Sequence, residues 1–187
     1  MRRIVIGVSM AAIFLLLVGC GSASILNYIS DNYPLEDVVE SSTNADDVAR
    51  IFIAEDESIT EVSESIRNGM EPEDASEIKD NKQILIYDDH FVTLTPDEVD
   101  PDNTLIEVAS EEFARDNYTP GFFNGFIAYY ILDSIFGVND WRYKQDQRCG
   151  GQCYGGYNRT GGNYKGPATP SSFRGSGNRG GGPGTGK

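Results

Sequence analysis

This 187-residue sequence predicts an α+β fold: a small, mostly antiparallel sheet with helices on one face, followed by a disordered Gly-rich C-terminal tail. Three observations lead there. Two apolar runs, 84–87 and 91–94, flank the polar pair Asp88-Asp89, which is the pattern of a β-hairpin. The order of the elements reads β-α-β-β-β-α, which suits a sheet with helices packed against it. The last 40 residues carry 14 of the 21 glycines and no acid, too little apolar surface to fold alone.

The elements follow in order. Residues 25–39 are amphipathic but interrupted at Pro34, which fits a short helix and a turn. Residues 41–47 form a polar loop. Residues 48–54, VARIFIA, read as a strand whose two sides both carry apolar residues. Thr60 can cap a helix to about Asn68, with Val62 and Ile66 four apart on one face and Gly69 as a stop. Residues 71–82 are acidic and irregular. The hairpin follows, closed by Pro96, and 104–109, TLIEVA, read as a further strand. Ser110 is a ready N-cap for a helix to about Asn117, with Glu111 and Glu112 favourably placed at its positive end. Residues 122–136, FFNGFIAYYILDSIF, read as one helix, with Thr119 as cap, Pro120 first and Gly137 as stop.

Charge is distributed unequally. The formal net charge is −14, but residues 1–19 hold only Arg2 and Arg3. Residues 20–147 hold seven bases and all 29 acids, and residues 148–187 hold six bases and no acid. An acidic body of this kind excludes nucleic acid as a main partner, since phosphate binding requires a basic footprint. The organisation expected is therefore a removable segment over 1–19, a linker with a short helix over 20–47, an acidic α+β domain over 48–147 and a basic exit and tail over 148–187.

The first segment has the order of a secretory signal: a basic start, an apolar run from 4 to 18, then Leu17-Val18-Gly19-Cys20. That last block resembles the lipobox of bacterial lipoproteins. The resemblance implies cleavage before Cys20, thioether lipidation of its thiol, and a lipid-anchored, extracytoplasmic location at the cell membrane. Two or more acyl chains give stable anchoring. The bilayer is thus one expected partner.

Chemistry is sparse. His90 is the single histidine and sits in a predicted turn. Asp97, Glu98, Asp100, Asp102 and Asn103 crowd one loop without the spacing of a calcium-binding EF-hand. Gly175-Ser176-Gly177-Asn178-Arg179-Gly180 matches a dinucleotide fingerprint by letter but follows no strand. No catalytic motif, metal or cofactor is expected. Cys149 and Cys153 leave an even pair once Cys20 is lipidated. Outside the cytoplasm a disulfide is favoured, with redox use or free thiols as alternatives.

Phe122, Phe123, Phe126, Tyr129 and Tyr130 spread apolar character round most of the predicted helix. Two readings remain open: a core helix completing the domain, or a surface that docks a membrane partner. The basic tail could meet anionic envelope polymer.

Several blocks together carry a family resemblance: Asn32-Tyr33-Pro34-Leu35-Glu36-Asp37-Val38-Val39, Leu85-Ile86-Tyr87-Asp88-Asp89, 102–108, Phe136-Gly137 and 148–157. They resemble the bacterial lipoprotein family termed domain of unknown function 4247. The resemblance implies a surface lipoprotein of a Gram-positive bacterium, encoded near small membrane proteins and polyamine-synthase-like enzymes. It carries no catalytic residues. The expected function is a non-enzymatic accessory or scaffold docking to an integral membrane or envelope partner. The alternative is an exported binder or enzyme acting on a cationic ligand such as a polyamine or calcium.

Overall fold

The computed structural model describes residues 24–166. Residues 1–23, which hold the expected signal segment and Cys20, and residues 167–187 lie outside them. Helix α1 (Ile25–Asn32) begins at Ser24, whose hydroxyl accepts from the Asn27 amide, and ends ahead of Pro34. Strands β1 (Leu35–Glu40) and β2 (Val48–Ala54) follow, then α2 (Ile59–Gly69). Ser58 and Glu61 close a reciprocal capping box at the start of α2, two residues earlier than the Thr60 cap expected. Then come β3 (Asp74–Ala75), β4 (Gln83–Tyr87), β5 (His90–Pro96), β6 (Thr104–Ser110) and α3 (Glu111–Asn117), with Ser110 capping α3.

The six strands form one antiparallel sheet in the order β1-β2-β6-β5-β4-β3. The α+β class and the antiparallel sheet are as the sequence predicts. The layering differs, because helices cover both faces and not one. Phe52, Leu85, Val92, Ile106 and Val108 pack on one side with Ile25, Ile29, Val62 and Ile66 from α1 and α2. Ile51, Ile84, Phe91, Leu105 and Ala109, their neighbours along the strands, pack on the other side with the aromatic C-terminal third. Central strands that are apolar on both sides need two covers.

Three further corrections follow from that second cover. Residues 20–47 are not simply a linker: Ile25 and Ile29 are core, and β1 is one of the sheet's two edge strands. Residues 122–136 are not one helix. A 3₁₀ turn, Pro120–Phe123, is followed by an irregular stretch containing Gly125 at φ +82°, then α4 (Tyr129–Ile135). A continuous helix would turn its rings outward in rotation; the broken path lets Phe122, Phe123, Ile127 and Leu132 all face the sheet. Finally, the body does not stop at 147. Helix α5 (Trp141–Cys149) leads to the disulfide Cys149–Cys153, with Cα atoms 4.9 Å apart. The chain then re-enters the core at Tyr154 and continues through α6 (Tyr157–Thr160) and a 3₁₀ turn, Gly161–Asn163.

Trp141, Gln145 and Cys149, four apart on α5, are the buried side of an otherwise polar helix. The disulfide closes a small ring at its end. Replacing both cysteines by serine is expected to cost about 2 kcal/mol, the loop-entropy value for a ring this short, read as a lower urea midpoint.

Candidate functional site

The residues of β5 and β6 that face the C-terminal cover include Phe91, Thr93 and Thr95 on one strand and Leu105, Glu107 and Ala109 on the other, with Thr93 directly opposite Glu107. On its other side Glu107 faces Ile51 of β2. A carboxyl therefore stands near the middle of the sheet, 4% exposed, among apolar neighbours. Such a group needs hydrogen bonds or a proton.

It has the first. The Tyr118 hydroxyl donates to Glu107 Oε1 at 2.7 Å, and the Tyr157 amide donates to Oε2 at 3.2 Å. The Tyr154 hydroxyl lies close enough to act on the same carboxyl, yet makes no hydrogen bond of acceptable geometry. Burial raises the Glu107 pKa above the usual carboxylate value, against the opposing pull of Tyr118, Tyr154, the Tyr157 amide and Lys82. Burial likewise raises Tyr118, and the nearby carboxylate adds to it.

Beside this carboxyl opens a cleft of about 1000 Å³, whose lining includes Lys82, Thr93, Glu107, Phe122, Phe126 and Asn158. Lys82 enters from a two-residue turn, Asp80-Asn81, both in the left-handed region, between the paired residues Lys79 and Lys82. Its ammonium lies 4.0 Å from the centroid of the Phe122 ring and 4.1 Å from that of Phe126. It donates to the Phe122 carbonyl at 2.5 Å. Burial lowers its pKa to about 8, although Glu107 and Asp80 pull the other way. The Thr93 hydroxyl, on the cleft floor, is buried with no hydrogen-bond partner in the described structure.

The C-terminal segment forms one wall. Tyr157 donates its hydroxyl to Asp37 of β1 at 2.8 Å, and Asn158 donates to the Pro96 carbonyl at 2.8 Å. Gly156 sits at φ +93°, and a Cβ there would lie 2.6 Å from the Phe122 ring. Gly156→Ala is expected to cost about 1–3 kcal/mol, from backbone strain and displaced packing together, measured by thermal unfolding.

The residues singled out from sequence are divided by the fold. Phe122 and Phe123 are buried, Phe123 within ring contact of Phe91, Tyr118, Phe122, Phe136 and Trp141. They are core and not surface. Phe126 lines the cleft, and Tyr129 is half-buried under Arg142. Tyr130 stands 75% exposed. His90 pairs with Asp89 at 2.5 Å at the start of β5, away from the cleft residues. In the 97–103 loop, Asp97 accepts from the Val99 amide and Asn103 from the Asp56 amide. Among the described residues, no three His, Cys, Asp or Glu side chains are grouped to hold a metal ion.

Glu107, Lys82 and Tyr118 were not singled out by sequence reasoning. One signal was available: Glu107 is a lone charge in a strand that is apolar on both sides. The lysine carried none, because it sits in a polar stretch.

An antiparallel α+β domain with a cleft beside a buried carboxyl is the class that fold and site define. The chain belongs to the family described as domain of unknown function (DUF4247), whose model matches residues 13–186. No curated protein and no solved structure matches it.

Proposed function

We propose that this protein is a lipid-anchored extracytoplasmic lipoprotein that serves as a non-enzymatic accessory to a membrane or envelope partner. The supporting observation is the length of the tether. Ser24 already caps α1, and Ile25 is core, so four residues separate Cys20 from the folded domain. Four residues span at most about 14 Å. A lipid on Cys20 would hold the domain within the headgroup zone, where an integral membrane protein is within reach. Among the described residues, no helix is long and apolar enough to cross a membrane. The exposed Tyr130 on α4 and Tyr143 on α5 are the aromatic side chains available for contact.

Two variants test the reading. Cys20→Ser should release the protein from the membrane fraction. Tyr130→Ser with Tyr143→Ser should leave the fold intact and abolish co-purification with the membrane partner; unchanged co-purification would remove the docking face. The second reading, an exported binder of a cationic ligand, draws on the cleft. Its support is that an ammonium already rests there on two phenyl rings. Calorimetric titration with spermidine and with calcium tests it, and no saturable heat at millimolar ligand would sink it.

A further inference from the structure

We propose that Phe122, Phe126 and the Phe122 carbonyl form a receptor cage for the alkylammonium group of a small ligand, and that Lys82 is its tethered, exchangeable occupant. The proposal rests on the cation-binder reading and names its site.

Lys82 Nζ has one phenyl face at 4.0 Å, a second at 4.1 Å and a carbonyl oxygen at 2.5 Å. Two ring faces and an acceptor are how proteins hold alkylammonium ligands, because the ring quadrupole attracts a desolvated cation. The fields of Glu107 and Asp80 add to the attraction. No carboxylate lies within ion-pair distance of Lys82 among the described residues. The cage therefore holds its cation by rings and a dipole, which a ligand's ammonium can use equally well.

Two features separate this from a closed structural contact. The cage opens on a cleft of about 1000 Å³, room for the rest of a ligand. Thr93, whose buried hydroxyl makes no hydrogen bond, is among the residues that line that cleft, and the buried Tyr154 hydroxyl is also unbonded. An unpaired hydroxyl at the wall of a cavity fits a ligand's polar group. The Lys82 occupant is also weakly committed, since burial holds its pKa near 8, well below that of a solvated lysine. A ligand must displace it, and that competition lowers apparent affinity by the fraction of time the cage is free.

The test is titration of the folded protein with n-propylammonium, the part of lysine that alanine lacks, followed by the proton shifts of the Phe122 and Phe126 rings. The wild type is expected to show saturable shifts. Lys82→Ala should bind about tenfold tighter or more, as the competitor is gone. Adding Phe126→Leu to Lys82→Ala should remove the binding. Equal affinity in wild type and Lys82→Ala overturns the proposal, as does the absence of ring shifts in both. Saturable cation binding that survives Phe126→Leu overturns the cage and leaves the broader cation-binder reading standing. If propionate instead shifts the rings in the wild type and fails to in Lys82→Ala, Lys82 is a counter-charge for an anion and the proposal falls.

Discussion

Tyr154→Ala is expected to destabilise the protein by about 4 kcal/mol, the range for removing a fully buried aromatic side chain. That is a large share of the 5–15 kcal/mol typical of a domain. Tyr154 is completely buried, with ring centroids 5.7 Å from Phe113, 5.2 Å from Tyr118 and 5.1 Å from Tyr164. Its backbone completes the attachment: its amide donates to the Asn117 carbonyl at 2.9 Å, and its carbonyl accepts from the Thr119 amide at 2.7 Å. This one residue joins the end of α3 to the chain beyond the disulfide. Tyr154→Phe is the matched control. The phenol makes no hydrogen bond in the interior, so its removal leaves no partner orphaned and should cost less than about 1 kcal/mol. Urea unfolding of both variants checks the pair. If Tyr154→Ala retains wild-type stability, the segment after Cys153 is not part of the cooperative unit.

How much of this was legible beforehand depended on whether a local pattern existed. The hairpin of β4 and β5, the strands β2 and β6, and the helices α2 and α3 all carry one: alternation, a cap, or a two-residue turn. Strand β1 carries almost none, since Val39 is its single fully buried residue and Leu35 is exposed. An edge strand needs little apolar surface. The 122–136 segment failed in the opposite way. It is so apolar that any period fits, and the break at Gly125 is set by the shape of the sheet beneath it. The stretch 150–164 was judged by composition, which counts glycines but not what they permit. Positive φ at Gly150, Gly151 and Gly156 turns the chain so that Tyr154, Tyr157 and Tyr164 reach the core. The site was least legible of all. Glu107 belongs to one strand, Tyr118 to the stretch after α3, Tyr157 to the last helix and Lys82 to a turn. Only the closed sheet brings them together.

Glu107→Gln should change the pH dependence of stability more than its size. Burial raises the Glu107 pKa in the folded state above its ordinary 4.5. Above pH 4.5 the unfolded chain releases this proton while the folded chain still holds it, so the folded state binds more protons. Stability from this group is therefore full below pH 4.5 and is lost as pH rises through the folded value. The tyrosine hydroxyl and the Tyr157 amide moderate the loss, since each donates to the ionised form. Glutamine keeps an oxygen acceptor and cannot titrate. The stability of Glu107→Gln relative to wild type is thus expected to rise as pH increases above 4.5 and to level off once the folded carboxyl has ionised. A difference that stays constant above pH 4.5 would mean that the carboxyl is not desolvated in solution. Glu107→Ala behaves differently. It strands the Tyr118 hydroxyl and the Tyr157 amide at every pH and opens a void, at a cost of about 3 kcal/mol. Because Glu107 is the link between the sheet and both the α3 exit and the last helix, that variant should also loosen the wall of the cleft. Protease cleavage at Arg159, faster in Glu107→Ala than in Glu107→Gln, would show that the buried carboxyl holds the cleft's C-terminal wall in place.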